Sequence, residues 1–265
     1  IASQTILARI LRGYGGDVRC FMPNRSDEGY GLSEPAVRRC FEISKPDLVI
    51  AVDCATNSIE DIARIRSMGV DVIVIDHHEY SGTRPDCCAL VNPKTGRDFH
   101  YLCTAGLAFK VAHALLKNCP LPGCDLKEYL DLVALATLAD LVPLVEENRI
   151  FVRRGLQQME STRWPGLGAL IQLACIRPPI RSSDVGFKLG PRINAAGRLG
   201  EAETALDLLL TNDPLEATRL AAALDAHNRE RQNVEREVNE QAERFIEKFC
   251  DPARDFSIVA GDDDW

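Results

Sequence analysis

The chain has 265 residues, 46% hydrophobic and 26% charged, the composition of an ordinary globular protein with one large domain or two small ones. Thirty-nine acidic residues against 31 basic ones leave a formal charge of −8, which excludes a generally basic coat for polyanions. No apolar run reaches the roughly 18 residues of a membrane helix, and the start at Ile1 lacks the basic and apolar regions of a signal peptide.

The first half alternates helix and strand. Ser3 is placed to cap a helix with Ile6, Leu7, Ile10 and Leu11 on one face, and Gly13, Gly15 and Gly16 end it. Val18–Met22 reads as a short strand closed by Pro23, and Ser33 with Pro35 opens a helix to about Ser44. Leu48–Val52 is an apolar strand. Asn57 with Glu60 resembles a capping box for a helix to Met68, and Val72–Ile75 is a second apolar strand. Strands apolar on both faces, separated by helices, predict an α/β fold whose parallel sheet is covered on two sides. Such sheets bind ligands beyond the carboxyl ends of their strands.

A helical subregion follows. Thr104–Leu116 is one helix, and Asp125 with Glu128 caps another through Asp140. Further helices are expected near 148–159, 167–175 and 202–210. From Asp213-Pro214 a pattern without glycine or proline runs to Cys250, a connecting helix about 55 Å long. Phe256–Ala260 reads as a strand opening a further unit. The ten cysteines contain no Cys-x-x-Cys pair, so reduced thiols in a cytoplasmic protein are the expectation.

Titratable residues stand where the strands end. Asp76-His77-His78 follows the second strand and Asp53 the first. An aspartate with imidazoles suits manganese, iron or zinc better than calcium, although both aspartates could equally cap the turns they begin. Asp140 interrupts a segment that is apolar from Leu132 to Val142 apart from Thr137. A carboxylate buried there costs several kcal/mol without a cation or hydrogen bonds. Asp53, His77 and Asp140 are thus three candidate metal ligands, and two divalent ions would need further carboxylates. Between Arg177 and Arg198 five bases face one acid. The stretch from Gly190 to Arg198 reads as a glycine-containing basic loop, suited to phosphate or simply solvated.

These blocks together resemble the DHH phosphoesterase superfamily, and within it the branch of single-stranded-DNA-specific exonucleases. The resemblance rests on Val52–Thr56, Ile75–His78 with Val91-Asn92-Pro93, Thr137–Pro143 and Gly190–Arg198, with Pro23-Asn24-Arg25, Glu28–Leu32 and Asn228–Gln232 in support. It implies that Asp53 bridges two metal ions, manganese or magnesium, with His77 and Asp140 completing the shell of one. His78 would face the scissile phosphate, Arg198 and Asn194 would steady it, and Arg25, Arg192 and Arg198 would contact the strand. The implied activity is metal-dependent 5′-to-3′ hydrolysis of single-stranded DNA in repair and recombination, with a single-strand-binding protein and a helicase as partners. Residues 1–212 would form the catalytic core, 213–250 the connecting helix and 251–265 the start of a substrate-clamping domain. The aspartate-rich first motif has no counterpart before Ser3, so the chain is expected to be nearly inactive alone. Two other functions keep part of this picture: a phosphatase or oligonucleotide hydrolase acting on small phosphates, and a DNA-binding relative without catalysis.

Overall fold

A computed structural model describes residues 1–24, 27–96, 99–198, 202–249 and 251. The first helix, α1 (Ala2–Gly13), buries Ile6, Leu7 and Ile10. Its N-cap is Ile1, so Ser3 lies within the helix rather than capping it. Val18–Met22 is irregular, not a strand. Side chains from α1 take its carbonyls, Arg12 that of Val18 at 2.9 Å and Gln4 that of Phe21 at 3.0 Å. Helix α2 (Glu34–Ile43) starts as expected, with the Ser33 hydroxyl accepting from the Ala36 amide and Pro35 in the first turn.

β1 (Leu48–Val52), β2 (Asp71–Ile75) and β3 (Ala89–Val91) form a parallel sheet in the order β1-β2-β3. Helix α3 (Ile59–Ser67) makes the first crossover, burying Ile62 and Ile65. β2 is central, so Val72 and Val74 are wholly buried and Ile75 nearly so, whereas β1 lies at an edge with Leu48 exposed. Only the central strand is therefore enclosed as the apolar runs suggested. Asn57 is not a cap. Its amide donates to the Glu79 carbonyl at 2.7 Å and accepts from the Ser81 amide at 3.0 Å, tying the turn after β1 to the turn after β2.

The helical subregion consists of α4 (Thr104–Asn118), α5 (Leu130–Ala139), α6 (Glu146–Met159), α7 (Pro165–Leu173), a single turn α8 (Ser182–Asp184), a π-helical turn over Val185–Leu189, α9 (Gly190–Arg198), α10 (Ala202–Leu210) and α11 (Pro214–Phe249). α6 lies along α5 so closely that a methyl group on Gly155 would collide with the Leu130 carbonyl. The early part of α11 belongs to the core, with Ala217, Leu220, Ala221 and Leu224 buried, while Val234 further along is exposed. Nine cysteines are described, all free. No described helix is long and apolar enough to cross a membrane. The expected strand at Phe256–Ala260 lies outside the described residues.

The buried carboxylate of α5 is Asp131, not Asp140. Asp131 has no exposed surface and accepts from the Leu132 amide, the Thr162 hydroxyl and the Trp164 indole at 2.7, 2.6 and 3.1 Å. Burial, only partly opposed by these donors, pushes its pKa up to about 6. The native state thus keeps the Asp131 proton to higher pH than the unfolded chain does, and stability falls as pH rises from about 4 to about 6. Asp131→Asn is expected to raise stability at pH 8 by up to about 3 kcal/mol, with the gain shrinking towards pH 4. Urea unfolding at the two pH values checks this, and a gain that does not change with pH would contradict it.

Candidate metal centre

Parallel strands deliver the residues at their carboxyl ends to one edge of the sheet. Val52 pairs with Ile75, and the ladder runs one residue further on each side: Asp53 N–H donates to the Ile75 carbonyl and Asp76 N–H to that of Val91, both at 3.0 Å. The chain then leaves β1 through left-handed backbone at Asp53 (φ 65°) and Ala55 (φ 79°), conformations costing about 1 kcal/mol or more for residues with a Cβ. The Tyr30 hydroxyl braces this turn by donating to the Asp53 carbonyl at 2.6 Å. Asp140 comes from another layer, as the C-cap of α5.

All three predicted ligands converge. His77 Nε2 lies 3.4 Å from Asp53 Oδ1 and 3.3 Å from Asp140 Oδ2. Bonds of about 2.1 Å to one octahedral cation set neighbouring donors about 3 Å apart, close to the separation of His77 Nε2 from each carboxylate. His78 adds a donor, since one ligand atom each of Asp53, His77 and His78 lies within 4.8 Å of the others. Burial, then the Asp53 carboxylate, push the Asp140 pKa up against the pull of His77. Two carboxylates around one imidazole are short of positive charge, and a divalent cation supplies it. The oxygen and nitrogen donors fit a hard-to-borderline ion such as manganese.

Asp76 is not in this cluster. Its carboxylate is buried and accepts from the amides of Thr56, His77 and His78 at 3.1, 2.8 and 3.3 Å, and is 2.7 Å from His78 Nδ1. Burial opposes its charge, but the bonds from Thr56 and His78 outweigh that and hold its pKa below the ordinary carboxylate value. Asp76 thus caps the turn and fixes the His78 ring, leaving Nε2 as its other ring donor. Asn92 completes the frame by donating to Thr56 Oγ1 at 2.8 Å and to the His78 carbonyl at 2.9 Å.

The basic stretch departs from expectation. Gly190–Arg198 is a helix, α9, not a loop. At 100° per residue Asn194 and Arg198 share one face, whereas Arg192 lies on another. Asn194 is exposed. Arg192 Nε donates to Asp225 on α11 at 2.8 Å and its Nη1 to the Lys188 carbonyl at 2.7 Å. The start of α9 adjoins the end of α5, where a methyl on Gly190 would stand 3.6 Å from Ala139 Cβ, one residue before Asp140. Arg25 and the Arg198 side chain lie outside the described residues. Thr104, which no sequence pattern marks, donates its hydroxyl to Asp53 Oδ1 at 2.7 Å. Nothing local distinguishes it, because only the packing of α4 against the sheet brings it there.

The family model described as the DHH family, N-terminal domain, matches residues 1–137. The chain belongs to the DHH family. Among curated proteins it is similar to the single-stranded-DNA-specific exonuclease RecJ of Bacillus subtilis, 37% identical over 252 residues, and to that of Thermus thermophilus, 39% identical over 236 residues. The alignments take in 94% and 89% of this DHH chain but only 31% and 34% of those relatives, so it spans about a third of their length. Among solved structures, an exonuclease RecJ bound to manganese aligns with TM-score 0.83 and 38% identity over 91% of this chain and 61% of that one. RecJ of Thermus thermophilus in complex with Mn2+ aligns with TM-score 0.78 and 36% identity, over 91% and 35% of the two chains.

Proposed function

We propose that this DHH chain carries the metal-binding core of a single-stranded-DNA-specific exonuclease that hydrolyses phosphodiester bonds from the 5′ end. The observation that carries the reading is the convergence of Asp53 and Asp140 oxygens on His77 Nε2 at 3.3–3.4 Å, at the edge where an open parallel sheet takes its ligand. The similarity to RecJ proteins supports the substrate class and a divalent cation, manganese or magnesium, and the imidazole donor of His77 tilts the choice to manganese. Asp53 would bridge two divalent ions, with His77 and Asp140 on one of them. Bound ions supply Lewis-acid polarisation of the phosphoryl group and activation of the attacking water.

The remaining roles belong to the protein's own side chains. Asp76 holds His78 Nδ1, so that Nε2 is the ring atom offered to the scissile phosphate. Asn194 and Arg198, sharing a face of α9, would steady the phosphate as charge develops. Arg25 and Arg192 would contact the strand, Arg192 from a guanidinium already braced by Asp225. Residues 1–212 would serve as the catalytic core, 213–250 as a connector and 251–265 as the start of a clamping domain. A single-strand-binding protein or a helicase would present the strand, in the cytoplasm.

Asp53 and Asp140 are too few carboxylates for two ions, so the chain alone is expected to turn over far more slowly than one of its relatives' full length. Release of nucleotides from 5′-labelled single-stranded and duplex DNA, with manganese or with a chelator, tests both statements. Manganese-dependent release from the single strand, much faster for the longer chain, is the expected result. Equal release from duplex, or release unaffected by the chelator, would overturn the reading.

A further inference from the structure

Asp53 is the most exposed of the three convergent ligands, with about half of its side chain open to solvent. A carboxylate in that setting samples several rotamers unless something holds it. The holding group is Thr104, only 2% exposed, whose hydroxyl donates to the same Asp53 Oδ1 that faces His77. We propose that Thr104 is a positioning residue for the metal site, fixing Asp53 in its ligating rotamer before any cation arrives. This rests on the reading that Asp53, His77 and Asp140 hold a divalent cation.

Three features make Thr104 a stiff donor. It is β-branched, which limits its χ1 freedom. It is the first residue of the 15-residue helix α4, anchored by buried Ala105, Leu107 and Ala108. The first turn of α4 holds no acidic residue of its own, and the Asp53 carboxylate bound to its first residue stands at the positive end of that helix. The adjacent residue reaches the other ligand-bearing element, since Cys103 Sγ lies 3.5 Å from the Thr137 hydroxyl, one turn before Asp140 on α5. The Cys103-Thr104 turn therefore reaches both Asp53, just after β1, and α5.

Outer hydrogen bonds of this kind typically change metal affinity by about 10–100-fold. Calorimetric titration with manganese alone, free of any substrate, is the test. Thr104→Val, close in volume but without the donor, is expected to bind manganese about tenfold more weakly, and Thr104→Ser to restore the affinity. In an Asp53→Ala background, which lacks the accepting oxygen, the valine substitution should cost nothing further, as two residues acting through one bond are not additive. Should the valine variant fail to fold, Thr104→Ala takes its place in the same comparison. A valine or alanine variant that binds as tightly as the wild type, or that loses as much in the Asp53→Ala background, overturns the inference. A wild-type protein that binds no manganese instead overturns the cation reading beneath it.

Discussion

His77→Ala is expected to abolish manganese binding at the cluster and to slow metal-dependent nucleotide release by a factor of about a thousand or more, since several kcal/mol of charge stabilisation disappear with the ion. The expectation comes from position. His77 Nε2 is approached by both carboxylates, at 3.4 and 3.3 Å. Without it the Asp140 carboxylate loses the imidazole that offsets the Asp53 charge, which already raises its pKa in the intact site. The His77 side chain is only 16% exposed, so stability is measured alongside binding and rate. Calorimetry with manganese, initial rates on a single strand and a urea midpoint separate these effects. A variant that keeps both manganese affinity and rate would remove His77 from the site.

Asp76→Ala is expected to strike both stability and activity. The substitution deletes the acceptor for three backbone amides and for His78 Nδ1, in a place almost closed to water. Orphaned buried donors on this scale cost about 3–5 kcal/mol. Asp76→Asn should lose less, since one oxygen remains for His77 and His78 while the new amide group opposes the Thr56 N–H. The wild-type contribution has a definite pH dependence. A folded-state pKa held below the ordinary value means stability that is complete at neutral pH and lost as pH falls through the acid range. Urea unfolding of the three proteins at pH 7 should rank wild type first, asparagine second and alanine last. Alanine and wild type with equal midpoints would refute the account.

Much of the site is legible along the chain because a parallel sheet converts sequence into position. Any residue directly after a parallel strand reaches the same edge, so Asp53 and His77 can be assigned to one place from the apolar runs before them. Asp140 stands out by its apolar surroundings, but for a reason the fold does not share. The buried acid of α5 is Asp131, which its hydrogen bonds satisfy, while Asp140 stands partly open at the helix end. A linear pattern shows where an acid is unusual and not which of two acids the packing encloses.

Local periodicity determined the strands β1 and β2, most helix positions and the candidate ligands, because hydrophobic spacing and turn residues act over a few neighbours. Three matters were decided only in three dimensions. Gly190–Arg198 became helix rather than loop, and the 100° step then turned Arg192 towards Asp225 and away from the face of Asn194. β3, three residues long, owes its strand character to pairing with β2. The hydroxyl that holds Asp53 comes from Thr104, 51 residues away, and no local pattern can encode a contact that exists only once α4 has packed against the sheet.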